Sequence, residues 1–398
     1  MNGYSGTNPH IRPAKQQSPA HHRGLGFEMP WMVIISLGLI VFGFIVMLSA
    51  SVPISYERYE DYLYMAKMRL LWLGVCALLI ALILSLPLNI WQQLDWLFLL
   101  GLVALLVLTI FFGKEVNGAR RWLQIGSFSL QPSELAKLIL PIYVAGYCMR
   151  RSHRGQLAWT GGMYPLIVSG VVMSLIFYQP DFGSAALLFV LVLGMLFVAG
   201  MRLSQLVLLV VVGLAVAWLL VVNSEYRMQR LQSFLDPASD PLGGSWQLMQ
   251  SQIAFVRGGL AGTGLGESVQ KLSLLPEAHN DYILAVVAEE LGWLGVSALL
   301  AAFLGLVSRG FWLSIQFLQS GEEFEGYLML GLSLALAGQV LVNSGMAIGL
   351  LPPKGISLPF FSTGVSNLCV TACCLGILIR GEYEIVSRRT SEVLVWSR

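Results

Sequence analysis

Charge is what this chain has least of. Asp, Glu, Lys and Arg make up 12% of its 398 residues, against about 25% in a soluble domain. With 56% hydrophobic residues and several runs long enough to cross a bilayer, that deficit excludes an ordinary soluble fold and points to a polytopic membrane protein. The formal net charge of +2 comes with no basic arm and no aromatic–basic array, so nucleic acid is not an expected partner. Cysteine is sparse: Cys76, Cys148, Cys369, Cys373 and Cys374 lie in or beside apolar runs without metal-type pairing and read as small packing residues. The glycine-rich run RGGLAGTGLGES, residues 257–268, lacks the GK[ST] of a Walker loop and the strand–helix setting of a dinucleotide fingerprint. Close backbone approach and tight turns explain its glycines instead. No cleavable signal peptide is evident, and no internal repeat supports an inverted-repeat transporter.

The apolar runs predict an all-α polytopic membrane protein with ten transmembrane helices, at about 31–50, 69–87, 96–113, 133–149, 164–178, 183–200, 205–223, 281–307, 326–351 and 364–381. Residues 1–29 read as a disordered tail, 30–385 as the membrane domain and 386–398 as a second tail. An even number of spans puts both termini on one side. Lys and Arg divide almost evenly between the two sides, but both tails and the Arg150, Arg151, Arg154 loop favour cytoplasmic termini. The connection 308–325 is then cytoplasmic, and 51–68, 114–132, 179–182, 224–280 and 352–363 face outward. The 224–280 loop, between spans 7 and 8, carries Phe234, Trp246 and Phe255 and is expected to be ordered on the membrane face.

Four outward stretches carry more polar chemistry than connection requires. Residues 116–138 place Arg120 and Arg121 beside Trp122, then Gln131, Glu134 and Lys137 on one helix face. Lys137 inside a span marks a functional site by default, with a Glu134–Lys137 pair or snorkelling as the plainer readings. In QPDFG, residues 179–183, Asp181 suits a helix N-cap at least as well as catalysis. Residues 226–281 offer Arg227, Arg230, Gln247, Gln250, Gln252, Arg257 and Lys271. In LLPPKGISLPFFSTGVSN, residues 350–367, Pro352, Pro353 and Pro359 break the helix around Lys354; irregular backbone at that depth belongs in protein or beside a wet cavity.

Asp281 stands where polar PEAHND meets the apolar run YILAVVAEELGWLG. It could simply cap a helix. Partly desolvated at the membrane boundary, it would also be a better proton acceptor near neutral pH. One acid, several fixed cations and amides on the outer side suit an amphiphile with an anionic head and a lipid tail. A phosphate-type leaving group is stabilised by cations and needs no proton donor, so a single base could suffice for sugar transfer from a lipid pyrophosphate.

Those same stretches carry a resemblance. NGARRW with QPSELAK, QPDFG, YRMQRLQSFLDP, QSQIAFVRGGLAGTGLGESVQKLSLLPEAHND and LPPKGISLPF occur in order over about residues 30–385. They resemble the SEDS family of cell-wall polymerases, most closely its division-type members in LPEAH and LPPKG. The resemblance implies a ten-span fold in the cytoplasmic (inner) membrane and polymerisation of lipid II into glycan strands outside it, at the division septum. It implies Asp281 as the base that deprotonates the acceptor sugar 4-hydroxyl, with undecaprenyl pyrophosphate expelled. It also implies a class B penicillin-binding protein transpeptidase as partner, other division proteins around it, and assistance by a divalent cation (Mg or Mn) without an organic cofactor. Asn280, Tyr282 and FFSTGVSN depart from the usual Thr, Phe and Ser-Tyr-Gly-Gly-Ser-Ser. Arg121, Lys137, Arg257, Lys271 and Lys354 are the candidate substrate contacts, and Glu289, about 80° round the helix from Asp281, could line the same cavity. Glu290 points nearly opposite and reads as structural, while Glu277 and His279 shape the loop. A lipid II flippase, an elongation-type polymerase and a non-catalytic scaffold are the competing readings.

Overall fold

The computed structural model describes residues 31–396 apart from 117, 127, 153–158, 238, 239, 241, 242, 244 and 273. The tail 1–29 and Arg154 therefore lie outside the described residues. In chain order the elements are α1 (Trp31–Tyr59), α2 (Tyr64–Ser85), α3 (Asn89–Gln93), α4 (Asp95–Phe112), β1 (Lys114–Val116), β2 (Ala119–Ile125), β3 (Phe128–Leu130), α5 (Pro132–Ser152), α6 (Trp159–Tyr178), α7 (Phe182–Val198), α8 (Leu203–Val222), α9 (Glu225–Leu235), α10 (Trp246–Gly258), α11 (Ile283–Gln319), α12 (Glu323–Ala347) and α13 (Val365–Trp396).

Each stretch expected to span is helical over most of its length, though α12 ends at Ala347, short of residue 351, and α11 begins at Ile283. Among the described residues, α1, α2, α4, α8, α11 and α12 are long and apolar enough to cross a membrane by length and composition. Side chains such as Leu78 and Phe112 stand 71% and 75% exposed on the outside of the bundle, as a lipid-facing surface requires. Inside, α12 packs on α11 and α5, and α2 packs on α13, while α8 has α7 and α9 as its main neighbours. Charges at one end pair off: Arg150 meets Asp95 at 2.8 Å and Arg309 meets Glu382 at 2.7 Å.

Two expectations need correction and a third gains detail. The fold is not wholly helical: β1, β2 and β3 form a small antiparallel sheet within 114–130. The expected connection 308–325 is mostly helix, because α11 runs on to Gln319 and turns only at Gly321, whose φ is +81°. The stretch 386–398 continues α13 as far as Trp396.

The glycine-rich run explains itself on α11. This helix is broken at Gly292 (φ +66°), where the carbonyls of Glu289 and Glu290 lose their usual i+4 donors. The N–H groups of Thr263 and Gly264 replace them at 2.9 and 3.0 Å. In return the N–H groups of Trp293 and Leu294 donate to the carbonyls of Gly259 and Leu260 at 2.9 and 3.1 Å. A β-carbon at Gly258 or Gly262 would collide with the carbonyl of Ala288 or Glu290. The loop thus satisfies buried backbone groups that a kinked helix leaves open, which fixes residues 258–264 to the helix that follows Asp281.

Candidate active site

Asp281 sits in the turn that feeds α11. Glu277 holds a left-handed conformation (φ +56°), and its carbonyl accepts from the N–H groups of Asn280 and Tyr282 at 2.9 and 3.3 Å. Such strain in a non-glycine residue is sustained by its surroundings. Opposite the turn runs the segment 348–364, kept irregular by its prolines.

The two segments are joined around the acid. From α12, the Asn343 side-chain amide donates to the carbonyls of Asp281 and Ile356, both at 2.8 Å. The Ser357 hydroxyl lies 3.2 Å from Asp281 Oδ1 and 3.4 Å from Asn280 Oδ1. The Ser362 hydroxyl bonds Asn280 Oδ1 and accepts from the Gly364 N–H at 3.0 Å. Buried Arg69 on α2 donates to the carbonyls of Phe360 and Ser362, holding that part of the segment in place.

The Asp281 carboxyl is raised to about 7, chiefly by burial and then by the charge of Glu277, with the Ser357 hydrogen bond opposing. The residue as a whole nonetheless keeps partial exposure. Such a group is half ionised near neutrality and can take a proton from a hydroxyl held against it. His279, buried in the same turn, is lowered by burial and by Arg58, with Glu277 opposing.

A group of cations gathers around Lys354, the chain neighbour of Gly355, which abuts Asp281. Lys354 Nζ stands 5.4 Å from the Phe182 ring centroid, and the Arg227 guanidinium 4.0 Å from the same centroid. Burial lowers the Lys354 pKa, and the charges of Arg230, Arg227 and Arg121 lower it further, with Asp181 opposing. Asp181 caps α7 by accepting the Ser184 N–H at 3.2 Å and also accepts the Ser133 hydroxyl at 3.0 Å. Arg121 donates to the carbonyls of Gln179, at 3.0 Å, and Pro180, which fixes the QPDFG turn. Clustered positive charge of this kind favours a multiply charged anion.

The other candidates are engaged elsewhere. Lys137, 1% exposed, pairs with Glu134 at 2.6 Å and donates to Gln339 Oε1 at 3.1 Å. Gln339 also meets Asn367 Nδ2 at 3.5 Å, and Asn367 reaches the Ser357 carbonyl at 3.4 Å, so Lys137 connects to the site through a buried polar chain. Glu289 does not share a cavity with Asp281. It is fully buried, accepts from Ser268 and from the N–H groups of Val269 and Gln270 at 3.1 and 3.2 Å, and pairs with Arg257 at 3.3 Å. Lys271 is likewise committed inward, to Glu290 at 2.8 Å, Ser49 at 2.9 Å and the Gly266 carbonyl at 2.6 Å. These pairs bind residues 257–271 to α11 and α1. The positions that sequence reading left out are Arg69, Asn343, Gly355 and Ser357. For Asn343 and Arg69 the available signal was a polar side chain inside an apolar run.

The fold and site define a polytopic helical membrane protein with a raised acid and a group of cations among its polar segments. Residues 30–385 match the FtsW/RodA/SpoVE cell cycle protein family, and the chain belongs to that family. The probable peptidoglycan glycosyltransferase FtsW of Pseudomonas fluorescens (strain SBW25) is 39% identical over 379 residues, 94% of this chain and 92% of that one. Its counterpart from Halorhodospira halophila is 41% identical over 365 residues, 91% of each. A solved peptidoglycan synthase complex that coordinates polymerization and crosslinking matches with a TM-score of 0.71 at 27% identity, over 87% of this chain and 95% of that one. The rod shape determining protein RodA of Thermus thermophilus matches with a TM-score of 0.64 at 26% identity, over 88% and 94%.

Proposed function

We propose that this protein is a peptidoglycan glycosyltransferase that polymerises lipid II at the division septum, spanning the inner membrane ten times with both termini in the cytoplasm. The observation that carries the reading is Asp281: a carboxyl raised to about 7 on a partly exposed residue, at the same end of the bundle as Lys354, Arg227, Arg230 and Arg121. Asp281 takes the proton from the acceptor sugar 4-hydroxyl. The freed oxygen attacks the donor anomeric carbon, and the bond from that carbon to the pyrophosphate breaks. Undecaprenyl pyrophosphate leaves with the bonding pair, its charge stabilised by the cation group. The division role is supported by 39–41% identity to FtsW relatives, against 26% to RodA. A class B penicillin-binding protein transpeptidase is the partner the synthase-complex match supports, with other division proteins around the pair.

Among the described residues no three His, Cys, Asp or Glu side chains gather as a metal cluster. A divalent ion such as Mg2+ or Mn2+ bound to Asp281 would hold that carboxyl ionised and well below 7, which does not suit a free base, so neither Asp281 nor its neighbour Glu277 is assigned to it.

The flippase reading draws on Lys137 and Glu289, but each is buried against a partner of opposite charge, Glu134 and Arg257. Reconstitution of the protein with its transpeptidase partner in lipid II vesicles separates the readings. Glycan strands are expected; lipid II translocation without polymer would replace the transferase with a lipid carrier.

A further inference from the structure

Asn343 is fully buried near the end of α12, and its amide nitrogen bridges two segments far apart in sequence. One N–H goes to the carbonyl of Asp281 itself. The other goes to the carbonyl of Ile356, between Gly355 and Ser357, the two residues that meet the Asp281 carboxylate. The orientation of the amide follows from its neighbours: both are carbonyl acceptors, so the nitrogen must face them. Asn343 Oδ1 is left buried without a partner. An unsatisfied buried acceptor is costly, and the cost is borne where two donors are needed at one point.

We infer that Asn343 is a positioning residue for the transferase reaction: its amide locks the Asp281 peptide to the 352–357 segment and so sets the direction and surroundings of the carboxylate. The inference rests on the reading of Asp281 as base. Without the two bonds the turn and the segment separate, Ser357 and Gly355 no longer frame the carboxylate, and water reaches it. Misplacement by about 1 Å costs about a hundredfold in rate, with little effect on substrate affinity. The charged groups that face Asp281 are Glu277 on its own turn, Glu134 on α5 and Asp181 ahead of α7. All three are acidic and burial is the largest cause of the raised titration, so better solvation moves it downward and outweighs the lost Ser357 hydroxyl.

The test compares full-length Asn343→Leu, Ser357→Ala and Asp281→Asn with wild type, each with its partner in lipid II vesicles, over pH 5.5 to 8.5 (about neutral, where a carboxylic base works). Asn343→Leu is expected to lower kcat about 10- to 100-fold, to leave KM for lipid II within about threefold, and to move the acid limb of the kcat profile downward. Ser357→Ala removes the hydroxyl that favours ionised Asp281 and is expected to move the limb upward. An unchanged kcat in Asn343→Leu, or a lower kcat with the acid limb unmoved, overturns the assignment. If Asn343→Leu does not fold, Asn343→Ser, whose hydroxyl can serve one carbonyl at most, is judged by the same criteria. Polymerisation by Asp281→Asn at the wild-type rate would overturn both the base and its positioning residue. An inactive Asp281→Asn beside a normal Asn343→Leu would remove the positioning role alone.

Discussion

Gly355 lies against Asp281 so closely that a β-carbon built on it would stand 3.3 Å from Oδ2. That spacing is tighter than ordinary van der Waals contact, and the carboxylate would have to give way. Gly355→Ala is expected to reduce lipid II polymerisation about tenfold while leaving the melting temperature nearly unchanged. Single-turnover rates on purified protein check the first point and thermal unfolding in detergent the second.

The raised Asp281 carboxyl makes a pH prediction with a definite sign. Its pKa is about 7 when folded and about 3.9 when unfolded. Base catalysis should therefore be lost as pH falls through about 7 and should level off above it. Stability runs the other way. Between the two values the folded state binds more protons than the unfolded state, so this group lowers stability as pH rises from about 4 to about 7. Asp281→Asn should melt a few degrees above wild type at pH 8 and no higher at pH 4, as thermal unfolding at the two pH values will show.

The loop anchor makes a stability prediction. Lys271 is 7% and Glu290 1% exposed, and they pair at 2.8 Å. Removing one partner leaves a buried charge uncompensated, so Lys271→Met is expected to cost about 3–5 kcal/mol. The double variant Lys271→Met/Glu290→Gln should recover most of that loss. Melting curves of the two single variants and the double variant close the cycle.

Two cations once grouped together should separate kinetically. Lys354 shares the Phe182 ring with Arg227 and has three arginine charges near it. Arg257 is paired with Glu289. Lys354→Met is expected to lower kcat/KM for lipid II about 100-fold, the scale of losing one transition-state charge contact. Arg257→Met should change it less than about threefold, because Ser268 and two backbone N–H groups still hold Glu289. Steady-state polymerisation over a range of lipid II concentrations distinguishes the two.

Hydrophobic runs made the helical segments legible, because burial in lipid demands uninterrupted apolar residues. The Glu134–Lys137 pair was legible too, since i,i+3 spacing brings two side chains together on any helix. The Arg257–Glu289 and Lys271–Glu290 pairs were not: each joins residues brought near by the Gly292 break and the glycine loop, and spacing along the chain carries no trace of that contact. The same break explains why Glu289 turned to residues 257–270. Helix ends were legible only where hydropathy fell with them; beyond residue 307 α11 becomes amphipathic, with Arg309 pairing to Glu382, yet stays helical to Gln319. Asp281 stood out at its boundary, whereas Asn343 and Gly355 act through geometry that only the packed segments reveal.

The most direct measurement is the rate at which purified Asp281→Asn, bound to its transpeptidase partner, converts lipid II to glycan strands at pH 7.5. Loss of general-base catalysis predicts a rate at least about 100-fold below wild type, with the partner still bound and the protein still folded. Glycan strands formed at the wild-type rate would contradict the account, because the transfer would then need no proton acceptor at residue 281.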